Sequence, residues 1–359
     1  MPRVELKDIT VRYGRLEALK EVNLVVEDGS YTVIAGPTGA GKTTLLKVIA
    51  GLVKPSHGSV IVDGKDYTML PPEDRNVGYL PQGYALFPHL TVWENVTFGA
   101  YCRGWSPEET EEVARRVLNM VGLIGRAESY PGELSGGMAQ RTALARAIAS
   151  GASLILFDEP LSALDLMLRL ILRYEIRRMV KSLGLTVIHV THDHEEAMSI
   201  ADKIYLLRSG EIVESGTPEE LYMRPRDPFT AYFIGESNLY RGVLKDGRVQ
   251  VGGLELDTAF DDYDGEVLVA LRTRRLFPGV KLDNTFEASV AEVRFLGRYS
   301  RIILESHDLK FTVEAPTVKI GWIRKGETVD VGVKREDVLV YPYKYALKYP
   351  EILEAVGNA

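Results

Sequence analysis

Eight residues constrain this chain more than any others. Gly36-Pro37-Thr38-Gly39-Ala40-Gly41-Lys42-Thr43, followed by Thr44, matches the pattern G-x-x-x-x-G-K-[ST]. Tyr31 to Ala35 before it reads as an apolar strand, and Gly41 to Ala50 reads as a helix. A glycine-rich turn between strand and helix lets backbone N–H groups curl around the β- and γ-phosphates of a nucleotide, and the helix start adds positive potential. Lys42 supplies a mobile cation near the β/γ oxygens, and the Thr43 hydroxyl is placed to hold Mg²⁺. A glycine-rich turn without chemical meaning is the bland alternative, and the correct flanks argue against it.

The remaining pattern predicts an α/β fold. Val22 to Val26 reads as a further strand, and Leu154 to Phe157 and Thr186 to Val190 are short, apolar and bounded by polar residues, as buried parallel strands are. Between Trp93 and Gly151 the pattern is mostly helical, which predicts a helical insertion (93–151) beside the sheet. Ser106-Pro107-Glu108-Glu109 and Thr217-Pro218-Glu219-Glu220 each place a hydroxyl at N-cap, proline at N1 and glutamate at N3. The 359 residues suggest about two domains at roughly 100–200 residues each. The texture changes near Gly235, after which short β-type runs such as Arg301 to Leu304, Phe311 to Glu314 and Thr328 to Val333 alternate with turn signals. A boundary is therefore expected at about residue 236, giving a nucleotide-binding domain over 1–235 and a small all-β barrel over 236–359.

Composition limits the partners. A net charge of -7 argues against a phosphate backbone as main partner. The lone Cys102 cannot form an internal disulfide and fits a reducing cytoplasm. The first residues carry charge and no apolar signal core, and no run reaches the roughly 20 apolar residues of a membrane span. Any membrane role is expected to pass through a partner.

Two further segments carry chemistry. Leu154-Ile155-Leu156-Phe157 ends in Asp158-Glu159, at the strand end where open α/β sheets bind ligands. Asp158 is expected near Mg²⁺, and Glu159 as general base for an attacking water. Both carboxylates could instead cap the turn at Pro160-Leu161-Ser162; the phosphate loop upstream favours the catalytic reading. Ser135-Gly136-Gly137 opens a second strongly helical segment, hence a second anion site. Either it serves something else or it faces a nucleotide held by another copy; a plain Ser N-cap is the ordinary alternative.

Together these motifs resemble the ABC ATPase family over roughly residues 3 to 235. Leu134 to Gln140 looks like the family's signature, and the phosphate loop, Gln82 after the strand Val77 to Leu80, Asp158-Glu159, Ser162-Ala163-Leu164-Asp165 and His192 occur in its order. Tyr13 resembles the aromatic that stacks on adenine. The resemblance implies a head-to-tail homodimer with two ATP molecules, each between the phosphate loop of one copy and Ser135-Gly136-Gly137 of the other. It implies that Gln82 touches Mg²⁺ or the attacking water and senses a membrane permease. His192 is to contact the γ-phosphate and hold Glu159 in line, and Asp165 is to cross the dimer interface. The family usually carries Gln where this chain has Met138.

The region after Gly235 resembles the oligonucleotide-binding-type regulatory barrel of importer subunits, fed indirectly by a solute-binding protein outside the membrane. A sugar is the first expectation for the solute, with oxyanion, ferric iron or polyamine as alternatives. A DNA-repair ATPase would show long heptad repeats, and an exporter would need no such barrel. His189 is expected in the core, and His57 and His194 at the surface. Ala85 to Asn95, with His89, resembles the permease-docking region. Arg272, Arg274 and Arg275 form the one obvious basic cluster of the barrel, too small to suggest single-stranded nucleic acid. Tyr341, Tyr343, Tyr345 and Tyr349 are expected to pack on it.

Overall fold

In the computed structural model, which describes residues 2–260 and 262–357, the chain divides into two compact units, Met1–Pro218 and Glu219–Ala359.

The first unit holds β1 (Val4–Tyr13), β2 (Leu16–Val26), β3 (Tyr31–Ala35), α1 (Lys42–Ile49), β4 (His57–Val62), β5 (Lys65–Asp66), β6 (Val77–Leu80), α2 (Val92–Cys102), α3 (Pro107–Met120) and α4 (Gly136–Ile148). It continues with β7 (Leu154–Asp158), α5 (Leu166–Ser182), β8 (Thr186–Thr191), α6 (His194–Ile200), β9 (Lys203–Arg208) and β10 (Glu211–Gly216). β3, β7 and β8 are buried along their whole length, so they read as continuous apolar runs rather than alternating ones. They lie in a six-stranded sheet of order β10-β9-β3-β8-β7-β6, parallel except for β10. A separate antiparallel sheet, β2-β1-β4-β5, takes the segment Val22 to Val26, and its inner face (Val4, Leu6, Leu19, Val22, Leu24, Val60) shares a core with α1.

That strand order positions the site. β3, β8, β7 and β6 are neighbours and parallel, so their carboxyl ends stand side by side. The phosphate loop follows β3, His192 follows β8, Asp158-Glu159 closes β7, and Gln82 follows β6. Beside the sheet, α2, α3 and α4 pack together. Ser106 caps α3 through the reciprocal box with Glu109, as its spacing predicts.

The compact division falls at Pro218, ahead of the change of texture near Gly235. The helices α7 (Pro218–Met223) and α8 (Pro228–Phe233) are the reason. They look like a connector in sequence, but Arg272 binds their carbonyls: its guanidinium donates to Tyr222, Ala231, Ile234 and Gly235 oxygens and stacks on the Tyr222 ring. The β-rich part consists of β11 (Ser237–Lys245), β12 (Arg248–Val251), β13 (Leu254–Asp257), β14 (Gly265–Arg272), β15 (Phe277–Pro278), β16 (Asn284–Leu296), β17 (Tyr299–Ser306), β18 (Leu309–Pro316), β19 (Thr328–Val333) and β20 (Val338–Pro342). They form two five-stranded antiparallel sheets, β13-β12-β11-β14-β20 and β15-β19-β16-β17-β18, around one core containing Val269, Leu271, Ile302, Phe311 and Val331. This is the small barrel-like all-β domain the turn spacing predicts.

Its aromatic tail departs from expectation in part. Tyr349 packs 5.4 Å from Phe229 of α8, and the Tyr341 hydroxyl donates to Pro225 O at 2.9 Å, so both bind the helical lead-in. Among the described residues, no helix is long and apolar enough to cross a membrane.

Candidate functional site

The phosphate loop has its shape because its glycines have no alternative. A Cβ at Gly36 would lie 2.0 Å from the Leu207 carbonyl oxygen. At Gly41, which caps α1 with φ 103°, it would lie 2.6 Å from the Ala18 oxygen. The loop therefore presses against β9 and β2, and a side chain at either glycine would push it away. Within it, Lys42 is buried, and its ammonium donates to the Gly36 and Pro37 oxygens at 2.9 Å each. Burial pushes its pKa down, against the pull of Glu159 and Asp158.

The acidic pair stands beside the phosphate loop. The Thr43 hydroxyl donates to Asp158 Oδ1 at 3.0 Å, joining the loop to β7. Burial raises the Asp158 pKa and Glu159 raises it further, with the Thr43 hydrogen bond opposing. A buried carboxylate whose charge is poorly compensated, facing a hydroxyl, suits a divalent cation. Thr43, Asp158 and Gln82 are the residues present for one.

Glu159 is held from three sides. Its backbone takes φ 51°, uncommon for a residue with a side chain, and its N–H donates to Val190 O at 3.0 Å. Its carboxylate receives Gln82 Nε2 at 3.3 Å and lies 3.0 Å from His192 Nδ1. Gln82, Glu159 and His192, far apart in sequence, thus form one chain of hydrogen-bonding groups.

A cavity of about 690 Å³ opens in front of these groups. Tyr13, Thr38, Gly39, Gly41, Lys42, Thr43, Thr44, Gln82 and Glu159 line it, joined by Arg15, Leu16 and Ser209. Tyr13 is half exposed, so its ring face is open to a planar base. Ser135, Gly136, Gly137 and Asp165 do not line it. Ser135 and Gly136 are solvent-exposed at the start of α4, where Ser135 Oγ accepts from Met138 N at 3.3 Å. Asp165 caps α5, accepting from Leu168 N at 3.0 Å. Within one chain the helix starts at Lys42 and Gly136 do not share this cavity.

Several positioning residues escaped the sequence reading. Gln140, almost fully buried, donates to Glu159 O at 3.3 Å and accepts from Ala163 N at 3.2 Å, tying α4 to the turn after the acidic pair. Buried Arg173 of α5 grips Asp193, the neighbour of His192, at 2.5 Å. Asn95 donates to the Phe87, Leu90 and Thr91 oxygens and receives Phe87 N, fixing the loop after Gln82. His189 lies in the core as expected. Burial holds its pKa down at about 3, and its Nδ1 lies 2.9 Å from the Tyr31 hydroxyl. His57 is exposed and His194 half-buried. The basic cluster is spent locally, Arg272 on carbonyls, Arg274 on Glu314 and Arg275 on Asp337.

The chain is similar to known proteins over most of its length. Residues 19–162 match the family model described as ABC transporter. The Fe(3+) ions import ATP-binding protein FbpC 2 of Rhizobium meliloti is 36% identical, over 91% of this chain and 88% of the relative. The spermidine/putrescine import ATP-binding protein PotA of Spiroplasma citri is 34% identical, over 94% of this chain and 97% of the relative. The sulfate/thiosulfate import ATP-binding protein CysA 2 of Chromobacterium violaceum is 38% identical, over 92% and 93%. Among solved structures, a dimeric post-hydrolysis state of the ATP-binding cassette MJ0796 bound to ADP and Pi superposes with TM-score 0.55 at 34% identity, over 60% of this chain and 98% of the other.

Proposed function

The chain belongs to the ABC transporter family as an ATP-binding subunit that hydrolyses ATP, and from that premise we propose a residue-level account of how it drives import. The observation that carries the account is the Gln82–Glu159–His192 array beside the Thr43–Asp158 contact. Lys42 and the N–H groups of residues 36–44 bind the triphosphate, and Tyr13 packs on the base. Thr43, Asp158 and Gln82 would hold Mg²⁺, which would supply charge neutralisation for the leaving diphosphate. Glu159 orients the water and takes its proton as the water oxygen bonds to the γ-phosphorus and the bond to the bridging oxygen breaks. The products are ADP and phosphate. His192 contacts the γ-phosphate and keeps Glu159 in line.

The second anion site finds its use in a homodimer. Ser135, Gly136 and Gly137 of one copy close on the nucleotide held by the other, with Asp165 at the junction. The dimeric state of the similar cassette MJ0796, and the separation of the two helix starts within one chain, support this reading. Losing the γ-phosphate loosens the sandwich, which shifts the population toward an open pair. The permease is proposed to dock beside Gln82, on the loop that Asn95 fixes, where the tilted Phe87 and Phe98 rings lie 4.7 Å apart and Tyr101 is exposed. That places the subunit peripherally on the cytoplasmic face of a membrane, with an external solute-binding protein as indirect partner. The C-terminal unit is assigned a regulatory or dimer-stabilising role.

The three relatives above are named for ferric iron, polyamines and sulfate. The expectation of a sugar has no support among them and gives way to a small ionic solute of these classes. The test of the catalytic account is Glu159→Gln. ATP binding is retained while turnover falls at least about 10²-fold, in the range typical of a lost general base. Wild-type turnover in that variant removes Glu159 from the role.

A further inference from the structure

Helix α5 has two apolar faces, and the fold uses one. Leu172, Ile176 and Val180 are buried on the inner side. At 3.6 residues per turn, Leu166, Met167, Leu170, Ile171 and Tyr174 fall on the opposite side as one stripe. They are 65%, 68%, 38%, 57% and 62% exposed. Scattered exposed apolar residues need no explanation. Five on one helix face form a contiguous patch on the order of a few hundred Å², the size that marks an interaction site. The stripe stops where Glu175 and Arg178 pair across the next turn.

Its starting point identifies the occupant. Leu166 directly follows Asp165, the cap of α5. The preceding turn, Ser162-Ala163-Leu164, is fastened to α4 through Gln140, and a Cβ at Gly137 would lie 3.4 Å from Leu164 Cδ2. The apolar stripe is therefore continuous with the surface that bears Ser135, Gly136 and Gly137.

We propose that the outer face of α5 docks a second copy of this chain, extending the nucleotide sandwich with an apolar contact. The inference rests on the composite-site reading above. A stable interface buries roughly 1,200–2,000 Å² in total, more than this patch supplies from two copies. The stripe therefore adds to the nucleotide-bridged contact and does not hold a dimer by itself. In a two-fold pair every such residue acts twice, so a single substitution is felt on both sides.

The experiment measures the ATP-dependent dimerisation constant by sedimentation, with Mg²⁺, in full-length Glu159→Gln protein. It compares this parent with two further variants: the neutral pair Ile171→Gln/Tyr174→Gln and the charged pair Leu170→Glu/Ile171→Glu. All three positions are exposed, and monomer affinity for a fluorescent ATP analogue reports folding. The expected result is dimerisation weakened at least about tenfold by the neutral pair and more by the charged pair, with nucleotide affinity unchanged. Equal dimerisation in parent and both variants overturns the proposal and leaves the composite site standing. Unchanged dimerisation with lost recovery on permease-bearing membranes also overturns it, in favour of a different occupant. A parent that stays monomeric with saturating ATP overturns the composite site itself, and this proposal with it.

Discussion

The candidate site of the first unit and the core edge of the second use buried charge differently. In the first, Lys42, Asp158 and His189 are buried with pKa values displaced by burial; Lys42 lines the cavity, and Asp158 binds the Thr43 hydroxyl that lines it too. In the second, Glu314 and Arg272 have local partners that neutralise or solvate them. Glu314 lies between Arg274 and Arg301, whose hydrogen bonds hold its pKa low against burial. Arg272 spends its guanidinium on four carbonyl oxygens. A displaced pKa at a strand end is free to answer a ligand; a saturated one fixes geometry. The first unit is built for chemistry and the second for holding shape.

The largest expected effect lies in the first unit. His192→Ala leaves the Glu159 carboxylate with Gln82 as its side-chain partner, and ATP turnover falls by about 10²-fold or more while nucleotide binding persists. Steady-state hydrolysis beside equilibrium binding checks this; a matching loss of affinity breaks the distinction between chemistry and scaffold. Next in size is Arg272→Met in the second unit. Losing several charge-assisted bonds to buried carbonyls costs about 3 kcal/mol. Urea unfolding followed by C-terminal tyrosine signals reads that loss, and ATP affinity of the first unit stays unchanged.

A pH series sharpens the contrast further. The folded-state pKa of His189 is about 3, below its ordinary value of 6.5. The unfolded chain then binds more protons in that window, so this residue's contribution is present above pH 6.5 and lost as pH falls toward 3. Wild type is expected to lose more stability over that window than His189→Gln; parallel curves contradict the assignment. The smallest effect is Asp165→Ala, which removes the cap of α5 and costs about 1 kcal/mol in a thermal melt.

What was legible in the sequence follows from range. The phosphate loop, the Asp158-Glu159 strand end and the Ser135 and Ser106 caps are set by spacing within a few residues, and all were readable. That Glu159, Gln82 and His192 meet rests on the strand order β3-β8-β7-β6, which local pattern does not encode. Gln140, Arg173 and Asn95 read as ordinary helix residues, because their partners lie across loops. The boundary near 236 tracked the change to β texture, whereas Arg272, later in the chain, recruits α7 and α8 to the second unit. The apolar outer face of α5 was hidden for a simpler reason: two apolar faces on one helix look in sequence like one well-buried helix.

The structure of Glu159→Gln crystallised with ATP and Mg²⁺ tests the central claim most directly. The account predicts one triphosphate touching Lys42 of one copy and the Ser135 helix start of its twin, twice per dimer. ATP bound at Lys42 with Ser135 of every neighbouring copy turned away from it contradicts that claim.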